Sequence, residues 1–199
     1  NLGGEGQLLL GGVAGAATAI WMPGPGPIVI VAAIAAGSVV GMLWAVVSAL
    51  GQTHLQLPVL ITSLLLNYVA RALSGYLVRF PFADEGSVLA STPLVPESNR
   101  IPRVPILGGV SLTMAIMVVL VIVMAVAYKR SVPGYESALV GINGRFARYG
   151  GVPVKRRTIG VMAVAGAIGG LVGTHMVIGD AYRYVDGELV IAGFAWTGL

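Results

Sequence analysis

In the apolar stretch 59–78, Ser63, Asn67, Arg71 and Ser74 recur at spacings of four, four and three, which places them on one face of a helix. Hydroxyl, amide and guanidinium groups in such a row can hydrogen-bond a neighbouring helix or line the path of a polar solute. Polar groups within an apolar helix face protein or water, not lipid. Ser63, Asn67, Tyr68 and Arg71 are therefore the candidate pathway lining. The other role open to them is adhesion between helices, with Arg71, about 18 Å of helical rise beyond Val59, reaching the headgroups. Glu5, in NLGGEGQ, is a carboxylate at the start of another apolar stretch, where the dipole of a helix N-terminus stabilises it. The glycines on either side of Glu5 also permit a broken helix beside a pathway.

Covalent chemistry has no residues to carry it. The chain has no cysteine, which excludes disulfides, thiolate metal sites and cysteine nucleophiles. It has no G-x-x-x-x-G-K-[ST], no G-x-S-x-G, no H-E-x-x-H and no G-x-G-x-x-G. His54 and His175 stand far apart, with no carboxylate or second histidine at ligand spacing. Catalytic residues, metals and directly bound cofactors are not expected. If transport through the chain is energised by ATP, another chain must hydrolyse it.

The elements that position these groups follow from composition. Hydrophobic residues make up 56% of the chain and charged ones 10%, with a mean hydropathy of +0.88. Soluble domains carry charge on about a quarter of their residues. An all-α, polytopic transmembrane bundle with its charges gathered in the connections satisfies lipid as solvent. Spans are expected at 6–22, 28–50, 59–78, 110–128 and 159–178, with a sixth starting near Leu189. The 23–27 run, PGPGP, separates the first two spans, and a brief polar turn, GQTHLQLP, separates the next two. No basic region precedes the first apolar run, so a signal peptide is not expected. The missing initiator Met and the apolar run at the end lead us to expect one internal fragment, 1–199, of a longer permease domain.

Charge orients the spans. The stretch 129–157 holds seven of the twelve Lys and Arg residues against one acid, Glu136, a net of +6. Positive loops stay in the cytoplasm, so 129–158 is expected inside and the 79–109 connection outside. The outer connection supports this, because Arg79, Arg100 and Arg103 are balanced by Asp84, Glu85 and Glu97. The basic pI of 9.7 is explained by this placement and not by nucleic acid. Small residues also fall in stripes: Ala33, Gly37, Gly41 and Ala45; Gly11, Gly15 and Ala19; Gly166 with Gly170, and Gly169 with Gly173. Such stripes bring helix backbones together in lipid and can let them slide.

Four segments resemble the permease subunits of bacterial ATP-binding-cassette importers for branched-chain amino acids, simple sugars and nucleosides. NLGGEGQLLLGG at 1–12 resembles that family's N-[IL]-G-x-E-G-Q opening of a helix, which makes Asn1, Glu5 and Gln7 a candidate opening motif, and ITSLLLNYVA at 61–70 resembles its I-T-[TS]-L-[ML]-L-N-[YW]-[IV]-A segment. GYESALVGINGRFARYGGV at 134–152 resembles its cytoplasmic G-x-E-L-R-A-V-G-x-N-x-x-A-A-x-Y-[AG]-G-[IV], and 187–199 is a weaker match to G-[YF]-G-F-x-G-I-A. Ser137 and Ala138 replace the usual Leu-Arg, and Arg145, Phe146 and Arg148 decorate a stretch that is normally alanine-rich. The order and the E-G-Q and L-L-N-Y segments point to the sugar and nucleoside branch. The resemblance implies a plasma-membrane importer subunit working with a cytoplasmic ATPase, a second permease subunit and an extracytoplasmic solute-binding protein. It also implies that this loop couples the permease to that ATPase, through Glu136, Gly141, Asn143, Arg145, Arg148, Tyr149 and Gly151; on the residues alone, 136–146 can form a short surface helix interrupted by Gly141 and Gly144, and the competing role is an ordinary positive-inside loop touching anionic lipid. An ATP-independent carrier or channel is the competing function, although the spans lack the interior carboxylates that ion-coupled carriers use.

Overall fold

The computed structural model describes residues 1–104 and 110–191. It is a helical bundle. In chain order it holds α1 (Gly4–Trp21), α2 (Gly26–Leu55), α3 (Val59–Arg79), β1 (Arg103–Val104), β2 (Val110–Ser111), α4 (Leu112–Arg130), α5 (Val132–Ile142), α6 (Gly144–Tyr149), α7 (Val154–His175), a π-helical turn (Met176–Ala181) and α8 (Glu188–Ile191). The strands pair as a two-stranded antiparallel ribbon. Among the described residues, α2, α3, α4 and the continuous α7–π segment are long and apolar enough to cross a membrane. The sixth span expected near Leu189 begins as α8, and its continuation lies outside the described residues.

Two boundaries differ from expectation. The polar stretch taken for a turn after residue 50 is the last part of α2, which continues through Leu55. Polar residues are compatible with a helix that has left the hydrocarbon. The break comes where Gln56 turns left-handed (φ 56°) and Pro58 caps α3. Likewise α7 starts at Val154, winding Lys155, Arg156 and Arg157 into its first turn. Lys129 and Arg130 close α4. Much of the basic charge therefore sits on helix ends and not on an extended loop.

α1 packs against α2, α3 and α7, with α2 and α7 in extensive contact. Glycine makes this possible. A Cβ at Gly11 would run into the Gly170 Cα, and one at Gly41 into the carbonyl oxygen of Gly166. Gly37 faces Thr174, whose hydroxyl donates to the carbonyls of Gly170 (2.9 Å) and Gly11 (3.1 Å), tying α7 to α1 where the backbones touch. The apolar core continues from there through Leu9, Val13, Ala16 and Ala33 to Val177, Ile178 and Tyr184. α4 stands apart, touching chiefly α5 and β2, with almost none of its length buried.

The connection after α3 folds as a cap over one end of the bundle. The Thr92 and Val95 amides donate to the Tyr184 and Tyr182 carbonyls (2.9 and 2.8 Å), and those of Ile101 and Asp186 to Ile178 and Ala90 (3.1 and 2.9 Å). The Asn99 side chain donates to Ala19 O at the end of α1 (2.8 Å), and Arg79 pairs with Asp186 at 2.7 Å. Burial pushes the Tyr184 phenol up to about 12, so it stays neutral at physiological pH.

Candidate functional site

The first site is a group of amides around the beginning of α1. Gly3 at the N-cap offers no side chain, so the first-turn N–H groups of α1 need partners from elsewhere. Asn67 provides one from α3: its Oδ1 accepts from Gly6 N at 2.9 Å, and its Nδ2 donates to Leu2 O at 2.7 Å. Asn1 and Gln7 exchange two amide hydrogen bonds, both 3.2 Å, and Asn1 Oδ1 also accepts from Gly3 N at 3.0 Å. Gln7 is 1% exposed. Glu5 is half-buried in the same turn, where the positive end of the α1 dipole favours its charge.

This group lies inside the bundle. Asn67 is eight residues, about 12 Å, from the Val59 end of α3. Trp44, beside Gly6, is eleven residues, about 16 Å, before the Leu55 end of α2. The start of α1 is thus held below the level at which its neighbours end. The Trp44 indole N–H is buried there without a hydrogen-bond partner among the described residues, a feature no motif signalled.

The expected polar stripe of α3 divides. Ser63, Asn67 and Ser74 are buried, together with Ala70 and Val78, but Arg71 and Tyr68 are exposed. Spacings of four drift round a helix with 3.6 residues per turn, so the buried row steps to Ala70 after Asn67 and leaves Arg71 outside it. Ser63 and Ser74 donate to Leu60 O and Arg71 O of their own helix. Of the candidate lining, Ser63 and Asn67 thus face the bundle interior, and Tyr68 and Arg71 its outside. Asn67→Leu would leave Gly6 N–H and Leu2 C=O unpaired, at about 1–3 kcal/mol each. A melting temperature lowered by several degrees in the full-length protein is the expected result. Unchanged stability combined with lost transport would instead give Asn67 a direct solute contact.

The second site is the elbow formed by α5 and α6. The Ser131 side chain accepts from Gly134 N to start α5, Pro133 occupies its first turn, and α5 runs without interruption through Gly141. A Cβ at Gly141 or Gly151 would meet nothing, although Gly151 (φ 82°) needs its left-handed backbone. The break falls at Asn143, whose Oδ1 accepts from Arg145 N (3.1 Å) and Phe146 N (3.0 Å) as N-cap of α6. The interruption expected at Gly141 and Gly144 falls instead at Asn143, whose extended backbone ends α5 while its side chain caps α6. Glu136 turns inward to an ion pair with Arg157 at the start of α7, which removes it from the exposed face. Arg145, Phe146 and Tyr149 are exposed, with Tyr149 93% and the neighbouring Ile142 83% exposed, and Arg148 is exposed beside the end of α2 and the start of α7. Ile142 carries no signal of surface exposure in the sequence, because an apolar residue reads as buried until the helix break is placed.

Gly37 and Gly41 of α2 lie against Gly166 and Gly170 of α7 and supply the rigid contact between the sites. Among the described residues no group of three His, Asp or Glu side chains could hold a metal.

The described residues thus form a capped bundle with an exposed helical elbow between two helices able to cross a membrane. The model of the branched-chain amino acid transport system permease component family matches residues 1–197, and the chain belongs to that family. It is an integral membrane protein. A glucose ABC transporter permease of Haloferax volcanii is 29% identical over 92% of the chain and 51% of its own length. A guanosine ABC transporter permease of Bacillus subtilis is 27% identical over 98% and 57%, and a nucleoside ABC transporter permease of Lactococcus lactis 25% over 94% and 54%. The chain spans about half the length of these relatives. No solved structure matches it.

Proposed function

We propose that this chain is part of the permease subunit of an ATP-driven importer for a nucleoside or simple sugar, working with a cytoplasmic ATPase, a second permease subunit and an extracytoplasmic binding protein. The observation that carries this is the family match along nearly the whole chain, joined to the names of the sugar and nucleoside relatives. The α5–α6 elbow supports the ATPase contact. Its first half is anchored, by Ser131 at the end of α4 and by the Glu136–Arg157 ion pair to the start of α7, so force applied to α5 reaches both spans directly. Its outward aromatic and Arg side chains are the types that dominate interface energetics.

The positive-inside rule puts the elbow in the cytoplasm and the 80–104 cap outside. The cap exposes Val88, Leu89 and Leu94, an apolar patch suited to a docking binding protein. Arg71 has no ion pair among the described residues and lies eight residues, about 12 Å, from the Arg79 end of α3. A cation at that depth faces water or protein, which suits the solute path, with Tyr68 on the same exposed side.

Reconstitution of the full-length permease with its ATPase and binding protein tests this. ATP-dependent uptake of a nucleoside or sugar is expected, reduced about tenfold by Arg71→Gln, the effect of losing one interaction of about 1.4 kcal/mol. Uptake driven by an ion gradient without ATP would overturn it.

A further inference from the structure

We propose that a cleft between the inner end of α2 and the start of α7 binds the phosphate group of an anionic phospholipid. The cleft has a volume of about 530 Å³, within the range of roughly 300–1,000 Å³ that holds ligands. Its walls mix polar groups with apolar surface: Thr53, His54 and Gln56 on the α2 side, Arg148 of α6, and Val154, Lys155 and Thr158 of α7. No carboxylate lines it. Both hydroxyls are already committed, Thr53 to Ala49 O and Thr158 to Val154 O, so anion recognition falls to the two cations and the amides. Arg148 and Lys155 have no ion pair among the described residues, since the one acid of this region, Glu136, is held by Arg157. The first turn of α7, which has no side-chain cap at Pro153, adds positive dipole beside Lys155.

Two unpaired cations around a cavity without acid recognise a phosphate anion. A lipid is favoured over a soluble phosphate by what flanks the cleft. Leu55 and Leu57, on either side of Gln56, are 69% and 45% exposed, and Leu60 and Ile61 are exposed one turn along α3. A charged cleft beside apolar helix ends, at the level where two spans leave the membrane, matches an amphiphile with its headgroup inside and its chains along the helices. The site rests on the inner-face placement proposed above but involves no ATPase.

The test uses the purified full-length permease in mixed micelles holding equal phosphatidylglycerol and phosphatidylcholine, with native mass spectrometry counting retained lipid. Wild type is expected to retain phosphatidylglycerol preferentially. R148Q/K155Q is expected to lower that affinity roughly 30-fold, the loss carried by two interfacial cations, with phosphatidylcholine unchanged. K129Q, on α4 and outside the cleft, should retain the preference. In a second arm, inorganic phosphate is titrated and thermal stability is read. A phosphate response that R148Q/K155Q removes while phosphatidylglycerol retention stays intact would overturn the lipid assignment in favour of a soluble phosphate. Equal retention by wild type and R148Q/K155Q in both arms would overturn the site altogether, as would loss confined to ATPase co-purification, which would assign the cleft to protein. Because lipid retention needs neither ATP nor partner, its failure is distinct from a failure of ATP-dependent uptake.

Discussion

Gly170→Ala is expected to destabilise the bundle by more than about 3 kcal/mol, whereas Gly160→Ala, on the same helix, is expected to stabilise it by up to about 1 kcal/mol. The two substitutions add the same methyl group to the same helix. At Gly170 that methyl would run into the Gly37 carbonyl of α2, with the Gly41 Cα 3.2 Å away on the same helix, and no rotamer change can move a backbone. α2 and α7 would have to separate, and α1 would lose the Thr174 hydrogen bond to Gly11 that depends on their contact. At Gly160 the methyl meets nothing, so only the gain in helix propensity remains. Thermal unfolding and the monodisperse yield of the full-length protein read the difference. Equal stability of the two variants would show that α2 and α7 are not held in backbone contact.

Arg145→Glu combined with Tyr149→Ala is expected to weaken association with the proposed ATPase partner by about 30-fold or more, and to uncouple its ATP hydrolysis from transport, while the helices still insert. Exposed Tyr and Arg side chains at an interface centre each carry about 2 kcal/mol when they are hot spots. Neither residue lines the phosphate cleft, and neither is needed for the fold: Tyr149 is almost wholly exposed, and Arg145 contributes to the α6 cap only through its backbone N–H. Co-purification of the ATPase and solute-stimulated hydrolysis are the readouts. A single cysteine placed at Gly144 reports insertion and should be labelled only from the cytoplasmic side. Intact association and coupled hydrolysis would leave the elbow as a lipid-contacting loop, and labelling from outside would reverse the orientation of every span.

Much of this was legible in the residues. Composition identifies lipid as the solvent, because a chain with so few charges cannot hydrate its surface, and long apolar runs then mark the spans. Glycine and alanine at four-residue spacing mark the close-packing faces, since face membership is a local property of helix geometry. The boundaries were less legible: polarity at residues 51–55 and 155–158 marks where a helix leaves the membrane, not where its hydrogen bonds stop.

Partner choice was decided by the tertiary structure. Asn67 and Arg71 look equivalent in sequence, yet Asn67 meets the N–H of a residue 61 positions away, while Arg71 lies on the exposed side of the same helix. Glu136 and Arg157 are 21 positions apart, and their ion pair exists only because the start of α7 comes back against α5. The long connection after α3 is a cap because residues 90–101 find backbone partners at 178–186. Sequence determined the solvent, the spans and the packing faces, each of which repeats with the period of a single helix. Only the fold determined which polar groups are satisfied and which remain open, because a hydrogen bond or ion pair between distant residues exists only once the chain has brought them together.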